Sequence, residues 1–327
     1  MNVKIRLRSQ HLPILATGLV LVGLFAVFSM LFRNFMSSRV IADLFTNNAH
    51  VGIVAVGMTF VILSGGIDLS VGAVLAFTTV LIASLIERHH VAPPLALAIA
   101  ILVGTGFGAL MGTLIQVYRL PPFLVTLAGM FLARGLAFVV NPQSLEIKHA
   151  FYNAVVDYGL PVSGTASLRV TSLTFIAVFL VALVVAHFTA FGRNVYALGG
   201  NEQSALLMGL PVGRTKIAIY AVSGFCASLA GVVLTFYKQS GDPTSGLGLE
   251  LDAIASVVIG GTLLSGGVGY MAGTLMGVFI YGIILVGLDF HGGFDSSWQR
   301  IIIGALLLVF IGLQRFLSRA SALVGTR

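Results

Sequence analysis

The chain reads as an all-α, polytopic membrane protein of about ten transmembrane helices. Of its residues, 57% are hydrophobic and only 9% charged, and its mean hydropathy is +1.03. Ordinary soluble domains carry about 25% charged residues. Apolar runs long enough to cross a bilayer recur along all 327 residues, with no long polar block, linker or low-complexity tract between them. The whole chain, 1–327, is therefore expected to form one transmembrane domain.

The first run, 12 to 32, follows Lys4, Arg6 and Arg8 as the apolar core of a signal peptide would. At about twenty residues it is too long for a cleaved signal and long enough to span. Further spans are expected near 49 to 64, 69 to 86, 94 to 117, 123 to 140, 172 to 189, 216 to 237, 251 to 267, 271 to 289 and 298 to 316. The second and eighth are short, which suggests a broken or re-entrant helix there. Ten crossings put both termini on one side. Placing that side in the cytoplasm gives the inner face Lys4, Arg6, Arg8, Arg119, Arg193, Arg214, Lys216, Arg315, Arg319 and Arg327. The outer face keeps Arg33, Arg39, Arg88, Lys148, Arg169, Lys238 and Arg300 in longer loops, so positive density favours this orientation.

Two loops are large. The outer one, about 141–171, mixes Pro142, Gly159, Pro161 and Gly164 with polar residues. The inner one, about 190–216, has stronger punctuation: Gly199-Gly200, a capping Asn201, a helical stretch from Glu202 to Met208, then Gly209 and Pro211 as stop signals. Asn201, Glu202, Gln203, Ser204, Ala205, Leu206, Leu207 and Met208 are thus expected to form a short helix outside the membrane. It would either enter a groove on another protein or lie on lipid head groups, and its residues do not separate the two.

Weak internal repetition accompanies this pattern. Leu63-Ser64-Gly65-Gly66, with Gly72 after it, recurs as Leu264-Ser265-Gly266-Gly267, with Gly273 after it. Glycine pairs at matching points of two halves point to broken helices beside a transport path.

Several function classes are excluded. Positive residues stand singly at the ends of apolar runs, so the net charge of +7 is a topology signal and no nucleic acid partner is expected. One cysteine, Cys226, permits no disulfide framework, and the dispersed histidines form no His-Glu-x-x-His motif, so no metal or other cofactor is expected. Leu-Ser-Gly-Gly opens the signature of ABC nucleotide-binding subunits, but no Gly-x-x-x-x-Gly-Lys-[Ser/Thr] occurs, so the chain has no ATPase site of its own. No nucleophile and base constellation suggests an enzyme.

Two charges lie within apolar sequence. Asp68 has three readings: it lines a substrate path, it carries a coupling proton, or it caps the span whose first turn holds Leu69, Ser70 and Val71. Capping is preferred, because Asp is a favoured N-cap and Gly65-Gly66 supply the preceding turn. Arg134 lies about six residues inside the expected outer end of its span, and snorkelling is its preferred reading over an ion pair or ligand contact.

Three stretches, "GMTFVILSGGIDLSVGAVLAF" (57–77), "GRNVYALGGNEQSALLMGLPVGRTKI" (192–217) and "ELDAIASVVIGGTLLSGGVGYMAGTLMGV" (250–278), resemble in order and spacing the permease subunits of ribose-type bacterial ABC sugar importers. Within that group the chain looks most similar to the second permease of galactofuranose importers. The resemblance implies a multi-pass inner-membrane subunit that partners a cytoplasmic ABC ATPase, a periplasmic sugar-binding protein and a second permease, either a homologue or a copy of itself, among membrane lipids. It also implies that Asn201 to Gly209 form the ATPase-coupling segment and that the subunit moves a monosaccharide by alternating access. Gly65, Gly66, Asp68, Ser70, Gly266 and Gly267 become candidates for helix breaks at the pathway. Asn47, Asn48, Thr59, Ser64, Thr262 and Ser265 become candidates for the small polar groups a sugar would need. The rival reading is a proton-coupled secondary transporter using Asp68.

Overall fold

A computed structural model describes residues 12–163, 166–291, 298, 301–309 and 312. Lys4, Arg6, Arg8, Arg300, Arg315, Arg319 and Arg327, with part of the last expected span, lie outside them.

The architecture is a helical bundle built around α3 (Ala49–Leu63), in which His50 is the only residue not buried. A helix apolar on every side needs cover on every side. It is covered by α8 (Val170–Phe188), α11 (Val212–Lys238), α12 (Leu249–Ile259) and α13 (Met271–His291). Glycines set the spacing: Gly52 faces the Phe175 ring of α8, and a Cβ on Gly57 would stand 2.8 Å from the Cys226 Cβ of α11.

The tightest pairing joins α5 (Pro93–Val117) to α11. Gly104, Gly108 and Gly112 of α5 form a stripe at four-residue spacing against Ser228, Gly224, Tyr220 and Ile217, and a Cβ on Gly108 would overlap the Tyr220 carbonyl. Small residues let helix backbones approach within a bilayer, where burial from water no longer drives association. Against both α11 and α5 lies α4 (Val71–Glu87), which also packs on α6 (Pro122–Val140). The ends of α4 and α6 are tied by Arg88, whose Nη2 donates to Asn141 Oδ1 at 2.8 Å.

At the periphery, α1 (Leu12–Leu31) packs chiefly on α13. Phe25, Phe28, Phe32, Phe35 and Phe290 interlock there, with neighbouring centroids 5.5 to 5.9 Å apart. Outward-facing Leu19, Leu102, Phe131 and Val181 on α1, α5, α6 and α8 are exposed, as a lipid-facing belt requires.

Six helices among the described residues are long and apolar enough to cross a membrane, and a seventh crossing arises if the bent pair α2 (Ser38–Asn47) and α3 is one span. The pair turns by 56° at Asn48, whose Nδ2 donates to Leu44 O at 2.8 Å. The span expected at 251 to 267 is corrected. Its helix, α12, has 11 residues, about 16 Å at 1.5 Å per residue, against about 30 Å of hydrocarbon. Gly260 and Gly261, the latter at φ +91, end it and return the chain into α13. Contacts of Gly260 with Gly273 and of Ser256 with Gly277 run in opposite directions along the two helices, so α12 and α13 form an antiparallel hairpin.

The large loop at about 141–171 has structure of its own. It holds β1 (Leu145–Glu146), α7 (Ala150–Asp157), β2 (Gly159–Ser163) and β3 (Ala166–Arg169); β2 pairs antiparallel with β3, and β1 with β4 (Ser240–Gly241) beyond α11. Tyr152 anchors α7 to α11 through its hydroxyl on Thr235 Oγ1 at 3.0 Å and its ring 4.9 Å from Phe236.

Replacing Gly108 with Ala is expected to cost about 1–3 kcal/mol by overpacking. The Gly106→Ala change, which meets open space in the same helix, should be neutral or stabilise by up to about 1 kcal/mol. Thermal unfolding of the two variants in detergent checks the difference.

Candidate functional site

Two chain breaks meet where α3 and α12 end. The first follows α3, where Gly66 N–H donates to Val61 O at 3.0 Å and Ser64 Oγ to Val61 O at 2.7 Å, with Gly65 at φ +80. The second follows α12, where Leu263 N–H donates to Val268 O at 3.0 Å and Gly266 and Gly267 take φ +83 and +75. Only glycine adopts these left-handed angles without steric cost. Gly267 N–H then donates to Leu63 O at 2.8 Å, so the last carbonyl of α3 is satisfied by the other break. The two Leu-Ser-Gly-Gly stretches are thereby in direct contact, but they route the chain differently. The second folds α13 back on α12, whereas the first delivers α4 to α11 and α6.

Asp68 is buried in the first break. Its Oδ1 accepts from Ser70 N–H at 2.9 Å and Ser70 Oγ at 2.6 Å, and its Oδ2 accepts from Ser223 Oγ of α11 at 2.7 Å. The expected N-cap is therefore corrected by two residues: Ser70 is the N-cap of α4, and Asp68 holds the turn that leads into it. A carboxylate accepting three hydrogen bonds offsets much of its loss of water. Thr126 Oγ1 donates to Ile67 O at 3.3 Å and adds α6 to the same knot. Beside Gly66 lies the Tyr220 hydroxyl, buried and without a hydrogen-bond partner.

Arg134 does not snorkel as expected. Its Nη1 donates to Pro243 O at 2.6 Å and Ser245 O at 2.7 Å, with the carboxylates of Glu250 and Asp242 near enough to act on it electrostatically. The guanidinium thus supplies donors to carbonyls of the turn before α12, which that turn does not satisfy within itself.

The loop between α8 and α11 contains the expected short helix and one that sequence reading missed. α9 (Ala190–Gly200) starts at Thr189, whose Oγ1 accepts from Gly192 N–H at 3.3 Å. The short helix, α10 (Glu202–Leu207), starts at Asn201, whose Oδ1 accepts from Ser204 N–H at 2.8 Å, and ends at Met208 with Gly209 at φ +76. A 2.6 Å salt bridge from Glu202 to Lys216 fixes its first turn to α11. Leu206, Leu207 and Met208 are exposed, whereas Ala205 is fully buried against the bundle. Glu202, Gln203 and Leu206 also border an open groove of about 740 Å³ shared with Gln116, Arg119 and Leu120 of the α5–α6 turn.

Tyr196 on α9 reaches the second break, its hydroxyl donating to Gly269 O at 2.9 Å. Burial, with a smaller contribution from Tyr270, pushes that hydroxyl up to about 12, so it stays a donor at neutral pH.

The sugar-path candidates do not line one cavity, though Ser64, Thr262 and Ser265 lie at the two abutting breaks. Asn48 fills the α2–α3 bend, Thr59 shares a 2.8 Å hydrogen bond with Thr274, and Thr262 is buried against Gly269 without a partner. Asn47 and Ser265 are exposed, and Ser64 bonds its own helix. None of the six borders the groove beside α10 or the apolar cavity of about 700 Å³ between α1, α2 and α13. Small polar side chains in apolar helices satisfy nearby carbonyls first, a habit that spacing alone does not distinguish from pathway lining. Ser223, Tyr220 and Tyr196 were missed because only tertiary contact brings them to the breaks.

A bundle of apolar helices with two abutting helix breaks and a capped surface helix defines a multi-pass membrane protein. Residues 40–311 match the family described as the permease component of branched-chain amino acid transport systems. The chain is similar to the inner membrane ABC transporter permease protein YjfF of Escherichia coli K12, with 47% identity covering 94% of this chain and 93% of the relative. It is similar also to the fructose import permease protein FruG of Bifidobacterium longum, at 40% over 95% and 92%, and to the ribose import permease protein RbsC of Bacillus subtilis, at 40% over 90% and 91%. No solved structure matches. The chain belongs to this family of ABC importer permeases, in the ribose-type group, and is a multi-pass inner-membrane protein.

Replacing Asp68 with Ala leaves three donors without their acceptor and is expected to destabilise by about 1–3 kcal/mol. Asp68→Asn, which keeps an acceptor for Ser70 and can donate to Ser223, should cost clearly less, as read by thermal unfolding in detergent.

Proposed function

We propose that the chain is the membrane-spanning subunit of an ATP-driven importer of a monosaccharide, a galactofuranose-like or related sugar, and that it works by alternating access between outward-open and inward-open packings. It lies in the membrane as a multi-pass subunit with α10 on the cytoplasmic side, next to a second permease that is a homologue or a copy of itself. A periplasmic binding protein delivers the sugar, and a cytoplasmic ABC ATPase supplies the energy. The relatives named for ribose and fructose import support the substrate class.

The observation that carries this reading is α10. A capped helix, held by a salt bridge on its first turn, presents Leu206, Leu207 and Met208 outward, exposed among the described residues. An apolar face of that kind on a braced lever suits insertion into a groove of a partner protein. We assign α10 as the coupling helix. Nucleotide-driven closure of the ATPase pair would move it, and the permease pair would respond by exchanging two packings a few kcal/mol apart. The rival, a proton carrier using Asp68, is disfavoured by the occupation of both carboxylate oxygens by serine donors.

Replacing Leu206 and Leu207 together with Glu should leave the subunit inserted but reduce sugar-stimulated ATP hydrolysis of the reconstituted complex by about tenfold or more. Asp68→Asn should retain most uptake in proteoliposomes. Unchanged stimulation in the first variant, or uptake by this chain alone under a pH gradient, would overturn the reading.

A further inference from the structure

The last turn of α9 meets both helix breaks with no side chain in between. A Cβ on Gly199 would overlap Leu63 O and stand 2.5 Å from Gly267 N, the two atoms joined by the hydrogen bond between the breaks. The contact is reciprocal: a Cβ on Gly266 would lie 3.1 Å from Gly199 O, and one on Gly267 would lie 2.9 Å from Gly200 Cα. Gly199 is not glycine for its backbone angles, since it sits in regular helix; the space allows nothing larger. One residue beyond Gly200, Asn201 both ends α9 and caps α10. The surface helix and the paired breaks are therefore separated by a single helical turn, with Tyr196 as a second tie to Gly269.

We propose that Gly199 is the positioning residue through which displacement of α10 reaches both helix breaks together. The proposal rests on the reading of α10 as the ATPase-coupling helix. Contacts through long side chains absorb a shift by changing rotamer, whereas backbone against backbone has no such slack. A shift of α9 must carry Leu63 and Gly267 with it or break their hydrogen bond. Because that bond spans the two breaks, α3–α4 and α12–α13 answer as one element with discrete packings.

Gly200 provides an internal control, because a Cβ there meets nothing within 4 Å. Gly199→Ala and Gly200→Ala alter helix propensity alike and differ in the contact alone. In the complete transporter, reconstituted with its ATPase and binding protein, Gly199→Ala is expected to lower the ratio of sugar-stimulated to basal ATP hydrolysis, and the uptake per ATP, by about tenfold. Gly200→Ala should stay within about twofold of the unaltered protein. A residue that merely supports the fold would lower the unfolding temperature and leave that ratio alone. Should Gly199→Ala fail to assemble with the ATPase, amide hydrogen exchange of the unaltered complex decides. Peptides covering 63–66 and 265–269 are expected to change protection together with α10 when ATP is trapped. Equal ratios for the two variants, or breaks that keep their protection while α10 responds, would overturn the proposal. If the Leu206 and Leu207 change itself leaves stimulation intact, the coupling-helix reading fails first, which is a distinct outcome.

Discussion

The hydrogen bond from Gly267 N–H to Leu63 O is the contact on which the centre of this protein depends. Within a bilayer every backbone donor and acceptor needs a partner from the protein, and each one left without costs several kcal/mol. A helix that stops inside the bundle exposes such groups. Here α3 and α12 both stop, and the broken end of one supplies what the other lacks. The solution demands left-handed turns on both sides and close backbone approach, hence glycine at 65, 266 and 267. It also dictates much of the surrounding arrangement, because α3 must lie beside the α12–α13 hairpin and α9 must press against the seam.

The few charges in the interior serve the same end. Asp68 accepts the donors that open α4 and adds a strut to α11, while Arg134 donates to two carbonyls ahead of α12. Each sits where the chain leaves regular helix and backbone groups lose their ordinary partners. Both join one helix to a turn elsewhere in the chain, so they brace the bundle at its breaks. The proposed coupling segment is braced in the same manner at its start, by the Glu202–Lys216 salt bridge and, just before it, by the Gly199 contact.

Much of the fold was legible in the sequence. Apolar runs located most of the long helices to within a few residues, because partition into lipid depends on composition over about twenty residues and hardly on partners. Asn201 and Gly209 announced the ends of α10, because capping and left-handed stops are local chemistry. Less was legible where partners decide. The run from 251 to 267 is apolar enough to span but breaks at Gly260, and Thr59, Asn48 and Thr262 look like pathway residues but are occupied or enclosed by neighbours. Asp68 was recognised as a helix-start residue, though its bond to Ser223, 155 positions away, left no trace in spacing.

By itself the amino-acid sequence determined that this chain enters a membrane, where most of its helices run, and that a capped helix stands outside the bundle. These follow from transfer free energies and short-range hydrogen bonds, which act within one segment. Tertiary structure alone decided that the two glycine breaks meet, that Asp68 and Arg134 face protein, and that Gly199 presses on the seam. Those contacts form only when segments distant in the chain must satisfy one another's backbone in a medium that offers no water.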